Sequence, residues 1–441
     1  FINMELINSI IGFIIAIGIL VTFHEYGHFI VARLCDVKVL KFSVGFGKPI
    51  IKKKDKDTNT EFSLCMIPLG GYVQMLESKN PDGEPNDIKE SDLQFCFDKK
   101  NVYQRFAIVA AGPIFNLILA VIFFTFTYMN GIGGIKPAIN ISGNTEKLQI
   151  ISVNDQKVSR WQDVRIEILN NVMNEQEISL TLLDSNNEKI QYPITYNSSI
   201  LNNEGDIIQN IGLNIIYPNN EAIIGTVSNK QNNKNIKVGD KIISINGISI
   251  NSWTELVRFI HDNPNKLIKI LAERGDEIIE YESNILSKNN IGFLGVSKKN
   301  DSSQFIKVRY DFDDSFSKAL SSTTDYTLLT FKMIGRLVVG DANVKNLSGP
   351  LSIAQFSGRS LEMGLSYFLY LLAILSVSLG VLNLLPIPML DGGHLVYYMY
   401  EIITGHELPQ TIQAGAQIAG IAILGMIMII AFYNDFIRIF S

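Results

Sequence analysis

Four long apolar segments constrain this chain more than any other feature of its sequence. Each is close to the roughly 20 residues that a helix needs to cross the hydrocarbon core of a bilayer. The segments are Ile7–Leu34, Phe106–Tyr128, Leu365–Leu385 and Ala414–Tyr433. A mostly polar stretch, residues 132–364, separates the second from the third and is long enough to be a domain. The sequence therefore predicts a polytopic α-helical membrane protein with four transmembrane helices and a large extramembrane insert.

The composition agrees with this division. The chain has 441 residues, of which 47% are hydrophobic and 18% are charged, whereas soluble proteins contain about 25% charged residues. With 25 Phe, 16 Tyr and only 13 Pro, the chain is neither disordered nor collagen-like. A formal net charge of -5 argues against nucleic acid as a partner.

The distribution of Lys and Arg predicts the orientation of the helices. None precedes the first segment, whereas residues 33–56 contain eight, and three more lie just before the second segment. We therefore expect the 33–105 loop to be cytoplasmic, and both termini and residues 132–364 to be periplasmic, in a bacterial inner membrane. The lack of a basic N-terminal region and of an A-x-A-like site favours a retained anchor over a cleaved signal peptide.

The three cysteines, Cys35, Cys65 and Cys96, all lie in the predicted cytoplasmic loop. Their spacings match no usual zinc-binding pattern. Because disulfides are rare in reducing compartments, we expect three unpaired thiols.

The first apolar segment contains an H-E-x-x-H motif made of His24, Glu25 and His28. Residues i and i+4 lie on the same face of a helix, so the two histidines can bind one zinc ion. Glu25 lies beside them, where it can accept a proton from water. The structural alternative is a buried histidine pair with a carboxylate, but ionisable side chains within a membrane segment are costly and usually functional.

A catalytic zinc ion usually has three protein ligands, and the third is expected at the same membrane depth. Asp391 is the first candidate, because the first and third segments run in the same direction and end on the same side. Pro386 and Pro388 should interrupt the helix just before it, which a membrane tolerates only around a cavity. His394 is the second candidate. The structural alternative is a plain helix end followed by a turn.

Two motifs together resemble the site-2 protease family of intramembrane zinc metalloproteases. They are H-E-x-x-H at residues 24–28 and N-x-x-P-x-P-x-L-D-G at residues 383–392. Gly112 and Asn116 in the second segment also match the family pattern G-x-x-x-N, in which a small residue lets helices approach and an amide hydrogen-bonds between them. The resemblance extends over essentially the whole chain.

The resemblance implies a role for each polar residue of these motifs. His24, His28 and Asp391 would bind one Zn²⁺ per chain, and Glu25 would be the catalytic base. Asn383 would hold the substrate backbone or the developing oxyanion.

Residues 62–75 form an apolar run that is too short to cross a membrane as a helix. The run fits a β-hairpin that turns at Pro68–Gly71. In the resembled family this hairpin is membrane-associated, and its edge pairs with unwound substrate, which is binding by strand addition. A further short strand is expected between Lys38 and Pro49. The hairpin residues expected to bind substrate are Gly70, Gly71 and Tyr72.

The insert contains an internal repeat. Residues 150–168 and 242–260 align without a gap at a constant offset of 92 residues, and the only two tryptophans, Trp161 and Trp253, coincide. This repeat indicates two copies of one small β-rich domain. The second copy has the strand–turn pattern of a PDZ domain, and its Ile291–Val296 segment resembles a carboxylate-binding loop.

The first copy departs from this pattern at residues 145–149, which replace the Val-Gly-Asp sequence of the second copy. Its counterpart of the carboxylate-binding loop is Ile211–Ile215. We expect a degenerate PDZ-like domain that serves as a spacer. For both copies a purely structural role is the alternative to peptide binding.

The sequence thus predicts a fixed order of segments. They are a first transmembrane helix (1–34), a cytoplasmic loop with the hairpin (35–105), a second transmembrane helix (106–131), a degenerate PDZ-like domain (132–220), a second PDZ domain (221–300), an amphipathic periplasmic segment (301–364), a third transmembrane helix (365–395) and a fourth (412–441).

These observations predict an intramembrane zinc endopeptidase. The resemblance implies substrates with a single transmembrane segment that have already been cut in the periplasm, namely anti-sigma factors and remnant signal peptides. The tandem PDZ insert would exclude substrates with bulky exported domains, and its second copy could bind a peptide or a carboxyl terminus. The alternative is a membrane-anchored PDZ scaffold with a vestigial metal site. A transporter is disfavoured, because the four segments show no paired hydrophobic repeat.

Overall fold

The computed structural model describes the chain except residues 1, 80–85, 87, 141–147, 185, 198–199, 201–205, 216–220, 229–234, 276, 289–290, 300–304, 341–346 and 441. The described residues form two compact units. The first contains those up to Ile132 and from Val308 onward, and the second contains those within Gly133–Ile200 and Gly205–Lys307. The second unit covers nearly the range expected for the two repeated domains, residues 132–300, whereas the rest of the expected 132–364 insert, from Val308 onward, belongs to the first unit.

The helices and strands are numbered in chain order. The α-helices are α1 (Ile2–Leu34), α2 (Val102–Asn130), α3 (Trp161–Met173), α4 (Ile207–Asn210), α5 (Trp253–His261), α6 (Phe312–Val339), α7 (Pro350–Met363), α8 (Leu365–Leu384), α9 (Asp391–Thr404) and α10 (Gln410–Phe440). The strands are β1 (Val39–Lys54), β2 (Glu61–Met75), β3 (Ile132–Ile135), β4 (Ala138–Asn140), β5 (Leu148–Val153), β6 (Gln156–Lys157), β7 (Ile178–Leu183), β8 (Lys189–Ile194), β9 (Asn214–Ile215), β10 (Ile224–Val227), β11 (Lys241–Ile245), β12 (Ile248–Ser249), β13 (Leu267–Arg274), β14 (Glu277–Asn284), β15 (Leu286–Lys288), β16 (Ile291–Phe293), β17 (Val296–Lys298) and β18 (Phe305–Val308).

Four helices of the first unit, α1, α2, α8 and α10, are long and apolar enough to cross a membrane. They correspond to the four segments expected from the sequence, but α2 begins earlier than expected, at Val102 instead of Phe106. The cause is a helix cap: the Asn101 side chain accepts a hydrogen bond from the Gln104 N–H (2.9 Å). Arg105, expected in the loop before the second segment, therefore lies within the helix.

The third expected transmembrane helix, residues 365–395, is two helices. α8 ends at Leu384, because Pro386 restricts Leu385 to an extended conformation (φ -65°, ψ 145°). Met389 has a positive φ of 86°, and a new helix, α9, begins at Asp391. The break expected from the prolines is confirmed, but the helix after it was not predicted.

Within the expected amphipathic segment, residues 301–364, the described part contains α6 and α7, which both pack against helices long and apolar enough to cross a membrane. Ala319 of α6 is fully buried in a cluster with residues of α2 and α8. Asp435 of α10 accepts backbone hydrogen bonds from Gly349 and Leu351 at the start of α7 (both 2.9 Å). The two helices therefore belong to the first unit, with only part of each surface exposed.

The strand pairing in the region of the expected hairpin, residues 62–75, differs from the prediction. Residues 41–44 of β1 pair with 71–74 of β2 on one side and with 61–64 on the other. The two halves of the expected hairpin therefore flank residues 41–44 instead of pairing with each other, and residues 61–65 also pair with residues 49–54 of β1. The strand expected between Lys38 and Pro49 is confirmed, and its residues 41–44 are central, since both of their edges are paired. Its Val39 and Phe42 side chains are buried. No described strand pairs with the outer side of 71–74.

The three cysteines of this loop region are free thiols, as expected. Cys65 and Cys96 are buried, and Cys35 is half-buried.

The second unit repeats one order of elements, as the sequence predicts. The first copy is β5-β6-α3-β7-β8 and the second is β11-β12-α5-β13-β14. β6 and β12 keep the offset of 92 residues, and α3 and α5 both begin at a tryptophan. The main sheets have the orders β8-β7-β5-β4-β9 and β12-β11-β13-β14. Of the segment that departs from the PDZ pattern, residues 145–147 lie outside the described part of the chain.

Asp240 is the most strongly bonded carboxylate of the second copy. It is fully buried, and both its oxygens accept hydrogen bonds from the Arg274 guanidinium (2.7 and 2.8 Å). The Lys237 N–H (2.9 Å) and the Tyr281 hydroxyl (3.2 Å) also donate to it. The equivalent position of the first copy, 92 residues earlier, is the buried Leu148. An apolar side chain there cannot form the hydrogen bonds that Asp240 accepts.

We expect Asp240→Asn to destabilise the second unit by about 1–3 kcal/mol at pH 7, because a charged acceptor of buried hydrogen bonds is lost. Burial by itself raises the pKa of Asp240, but bonding to Arg274 outweighs it and lowers that pKa overall. The stabilisation is therefore complete above the unfolded-state pKa of about 4 and disappears as the pH falls through the lower folded-state pKa. Both tryptophans lie in this unit, so their fluorescence during denaturation of the full chain measures its stability. Glu282→Gln, at an exposed position, is the control. Equal acid sensitivity of the wild type and Asp240→Asn would contradict the prediction.

Candidate metal centre

Three side chains that the sequence predicts as metal ligands converge in the first unit. α1 places His24 and His28 one turn apart, and Asp391 is the first residue of α9. The His24 Nε2 atom lies 3.3 Å from His28 Nε2. Asp391 Oδ2 lies 3.1 Å from the first of these nitrogens and 3.5 Å from the second. The structure thus brings together three potential metal-binding atoms from two helices that are far apart in sequence.

These distances fit a tetrahedral zinc site. With metal–ligand distances of 2.0–2.1 Å, tetrahedral ligand atoms are about 3.3 Å apart. Both histidines are only 9% exposed, so the ligand atoms are shielded from bulk water. Three protein ligands leave one position open, which is the arrangement of catalytic zinc sites.

The protonation of His28 also fits a metal ligand. Its Nδ1 atom is 2.9 Å from the Ile108 carbonyl of α2, and a carbonyl only accepts. Nδ1 therefore carries the proton, and the lone pair of Nε2 is directed toward the other two ligand atoms.

His24 is oriented by Asn116 of α2, whose side-chain amide is 3.0 Å from His24 Nδ1. The Asn116 Oδ1 atom is buried and has no hydrogen-bond partner among the described residues. The oxygen and the nitrogen of a side-chain amide are assigned from their hydrogen bonds and can be exchanged by turning the amide over. With Oδ1 next to His24, the Asn116 side chain accepts a hydrogen bond from the Nδ1 proton. His24 Nε2 is then free to bind a metal, as in His28.

We expect Asn116→Leu to lower zinc affinity by about 10–100-fold, because it removes the acceptor that fixes the His24 tautomer. Asn116→Asp keeps an oxygen acceptor at the same position and should lose less affinity. Competition with a coloured chelator measures both dissociation constants. Equal affinities in Asn116→Leu and the wild type would show that the amide does not act on His24.

Gly112 allows α2 to approach the two histidines. A Cβ atom at this position would overlap His28 Nε2 and lie 2.8 Å from His24 Cε1. The close helix approach implied by the G-x-x-x-N pattern therefore brings the α2 backbone against the imidazole rings themselves.

Glu25 lies beside the ligands in a cavity of about 350 Å³. It is 9% exposed. A Cβ atom on Gly71 would lie 2.8 Å from Glu25 Cγ and 2.7 Å from the Ser43 carbonyl, so only glycine lets β2 pass this close to Glu25. The cavity can hold water and a peptide chain next to the carboxylate.

The structure places some, but not all, of the expected substrate-binding residues at this cavity. Gly71 and Tyr72 line it, whereas Gly70 and Asn383 are not among its lining residues. Gly70 lies against the Phe46 ring, and Asn383 is half-buried near the end of α8. His394, the second candidate ligand, lines the cavity but lies outside the cluster of three ligand atoms.

The sequence gives little sign of the remaining lining residues, which include Val73, Met75, Glu77, Phe97, Val109 and Tyr398. Burial, with a further effect of the nearby Asp98 carboxylate, raises the pKa of Glu77. Burial raises the pKa of Tyr398 to about 12, so this phenol is neutral at physiological pH.

The chain is similar in sequence to several known proteins. The model of peptidase family M50 matches residues 12–427. The regulator of sigma E protease of Haemophilus influenzae is 34% identical, with 99% of this chain and all of that protein covered. The regulator of sigma-E protease RseP of Salmonella typhimurium is 31% identical with the same coverage. A Vibrio cholerae protein named for zinc metalloprotease activity is 34% identical, with 99% of this chain and 100% of that protein covered.

A solved structure, the PDZ domain of an SdrC-like protein from Listeria monocytogenes, is 19% identical. It covers 19% of this chain and 90% of the other, with a TM-score of 0.17. A likeness at that TM-score supports no inference about the fold.

Proposed function

Because this chain belongs to peptidase family M50, the site-2 proteases, and is a zinc metalloprotease, we propose that it cleaves transmembrane segments of single-span proteins within the bilayer. The observation that carries the proposal is the convergence of His24, His28 and Asp391 beside Glu25 at the edge of β2. We propose that the four helices α1, α2, α8 and α10 all cross the membrane.

We assign one zinc ion per chain to His24, His28 and Asp391. When bound there, zinc supplies Lewis acidity that polarises the scissile carbonyl and makes water more acidic. The residues of the chain hold that ion and position the groups that move protons.

Glu25 is the proposed general base. Its carboxylate would accept a proton from the attacking water and then donate it to the leaving amine. Burial of Glu25 excludes most bulk water from this exchange. We propose that Asn383 contacts the substrate backbone or the oxyanion once substrate occupies the cavity, since its amide can donate two hydrogen bonds.

We propose that the substrate binds as an added strand along residues 71–74. These residues pair with β1 on one side only, and residues 71–73 line the cavity that contains Glu25. A helical substrate has its carbonyl groups already bonded, so it must unwind before cleavage. Strand addition supplies replacement backbone hydrogen bonds and demands little of the substrate sequence.

The proposed substrates are single-span proteins, with the amino terminus inside, that have already been cut on the periplasmic side. Two of the relatives carry the name regulator of sigma E protease. We therefore include anti-sigma factors among the proposed substrates, together with remnant signal peptides. The orientation follows the Lys and Arg distribution, which makes the 33–105 loop cytoplasmic and both termini periplasmic.

We further propose that the two repeats of the second unit are tandem PDZ-like domains that act as a size filter. Deleting residues 135–300 should permit cleavage of substrates that still carry their exported domain. Immunoblots of a tagged substrate in cells measure this. Continued resistance of the untrimmed substrate in the deletion strain, with trimmed substrate cut normally, would argue against a filter.

The function is tested with purified protein in liposomes and a panel of single-span peptides. We expect cleavage sites, mapped by mass spectrometry, to lie within the apolar segment and cleavage to stop when a chelator removes zinc. Cleavage only outside the apolar segment would reject intramembrane proteolysis.

A further inference from the structure

An ion pair within the first unit joins α2 to α9. The Arg105 Nη2 atom of α2 is 2.6 Å from Glu401 Oε1 of α9. The side chains are only 11% and 17% exposed. Arg105 also donates from Nε to the Lys100 carbonyl (3.2 Å), and its guanidinium lies over the Tyr398 ring, 5.2 Å from the centroid. These contacts hold the guanidinium in one place between the two helices.

α9 is not continuous with α8, so contacts with other helices also decide where it lies. The backbone between the two helices is broken at Pro386 and Pro388 and turns through a positive φ at Met389. Asp391 is the first residue after that break, so its position depends on where α9 lies. Glu401 is ten residues later, about 15 Å along the helix axis, and fixes the far part of α9.

One face of α2 carries the three contacts of this helix to the histidines that are described above. Arg105, Ile108, Gly112 and Asn116 follow one another at intervals of three, four and four residues, which is the spacing of one helix face. The Ile108 carbonyl accepts from His28, Asn116 bonds to His24, and Gly112 lies against both rings. An attachment of α9 to Arg105 therefore fixes the third ligand relative to the helix that orients the first two.

We propose that the Arg105–Glu401 ion pair is a positioning element that sets Asp391 at metal-binding distance from His24 and His28. The inference deepens the proposed function, since it concerns the same metal centre, and it rests on the zinc ligands assigned there. According to this inference, Arg105 and Glu401 affect how tightly the metal is bound, in addition to packing α2 against α9.

The chain offers a matched control for this pair. Glu407 Oε1 is 3.7 Å from Arg105 Nη1, but its side chain is 71% exposed. Ion pairs of such exposed groups contribute little. Removing the Glu407 carboxylate therefore takes away one negative charge near Arg105, as Glu401→Gln does, but leaves the ion pair between α2 and α9 in place.

The test measures metal binding directly in purified full-length protein. We expect Arg105→Met and Glu401→Gln each to raise the zinc dissociation constant at least tenfold in chelator competition, and Glu407→Gln to leave it within twofold of the wild type. With Co²⁺ in place of zinc, the visible absorption of the first two variants should shift, because the carboxylate ligand is displaced. The exchange variant Arg105→Glu with Glu401→Arg should recover affinity relative to either single substitution.

Circular dichroism and thermal unfolding identify variants that are folded. If Arg105→Met does not fold, Arg105→Lys, which keeps the charge but changes the geometry of the donors, takes its place with the same expected shift. Wild-type zinc affinity and an unchanged Co²⁺ spectrum in folded variants would overturn the inference. Failure of the wild type to bind zinc would instead overturn the proposed metal centre.

Discussion

Replacement of Glu25 with Gln should abolish cleavage of a transmembrane peptide while zinc stays bound. Gln has nearly the same shape as Glu but cannot accept the proton of the attacking water or return it to the leaving amine. General acid–base groups contribute about 10²–10⁴-fold to rates, so we expect kcat to fall by at least that range. The measurement combines single-turnover cleavage in liposomes with metal analysis of the same preparation.

Glu77→Gln is the matched control for this change. Glu77 lines the same cavity but lies outside the cluster of metal-binding atoms, so its variant should retain most of the activity. Undiminished cleavage by Glu25→Gln would reject the role of Glu25, and loss of zinc from that variant would show that it acts on the metal centre instead.

Replacement of Asp391 with Asn should remove zinc from the protein and with it all cleavage. The carboxylate oxygen of Asp391 lies 3.1 and 3.5 Å from the two histidine nitrogens, and a neutral amide is a much weaker zinc ligand than a carboxylate. Loss of one of three protein ligands should raise the zinc dissociation constant by several orders of magnitude. Dialysis against a zinc buffer followed by metal analysis measures the occupancy.

His394→Ala separates the two candidates for the third ligand. Because His394 lies outside the cluster of three ligand atoms, its variant should keep stoichiometric zinc. Full zinc occupancy in Asp391→Asn together with metal loss in His394→Ala would reverse the assignment.

The sequence allowed prediction of the features that depend on local pattern. The four apolar segments, the break at Pro386 and Pro388, the free cysteines and the repeat beginning at Trp161 and Trp253 all follow from residue type and spacing. Helix periodicity alone places His24 and His28 on one face of α1. Two copies of one domain place equivalent elements at a constant distance along the chain. The offset of 92 residues between the repeated sequences is therefore also the offset between β6 and β12.

The pairing of β1 with β2 could not be predicted in the same way. An apolar run such as residues 62–75 gives no direct sign of its strand partner, and the alternative partner, residues 41–44, lies elsewhere in the loop. Phe42 of β1 packs against Phe29 of α1 (ring centroids 5.6 Å apart), a contact between elements that the apolar run does not encode. Contacts of this kind, formed only in the folded chain, decide how the strands are ordered.

The sequence by itself determined which residues can perform the chemistry, because zinc ligands and a base need particular side chains at particular spacing. Only the tertiary structure decided how they are held. Asn116, the Ile108 carbonyl and the Arg105–Glu401 pair act across at least 80 residues of chain in each case, and no local pattern encodes such partners. Their positions depend on how α1, α2 and α9 pack, which is a property of the folded chain as a whole.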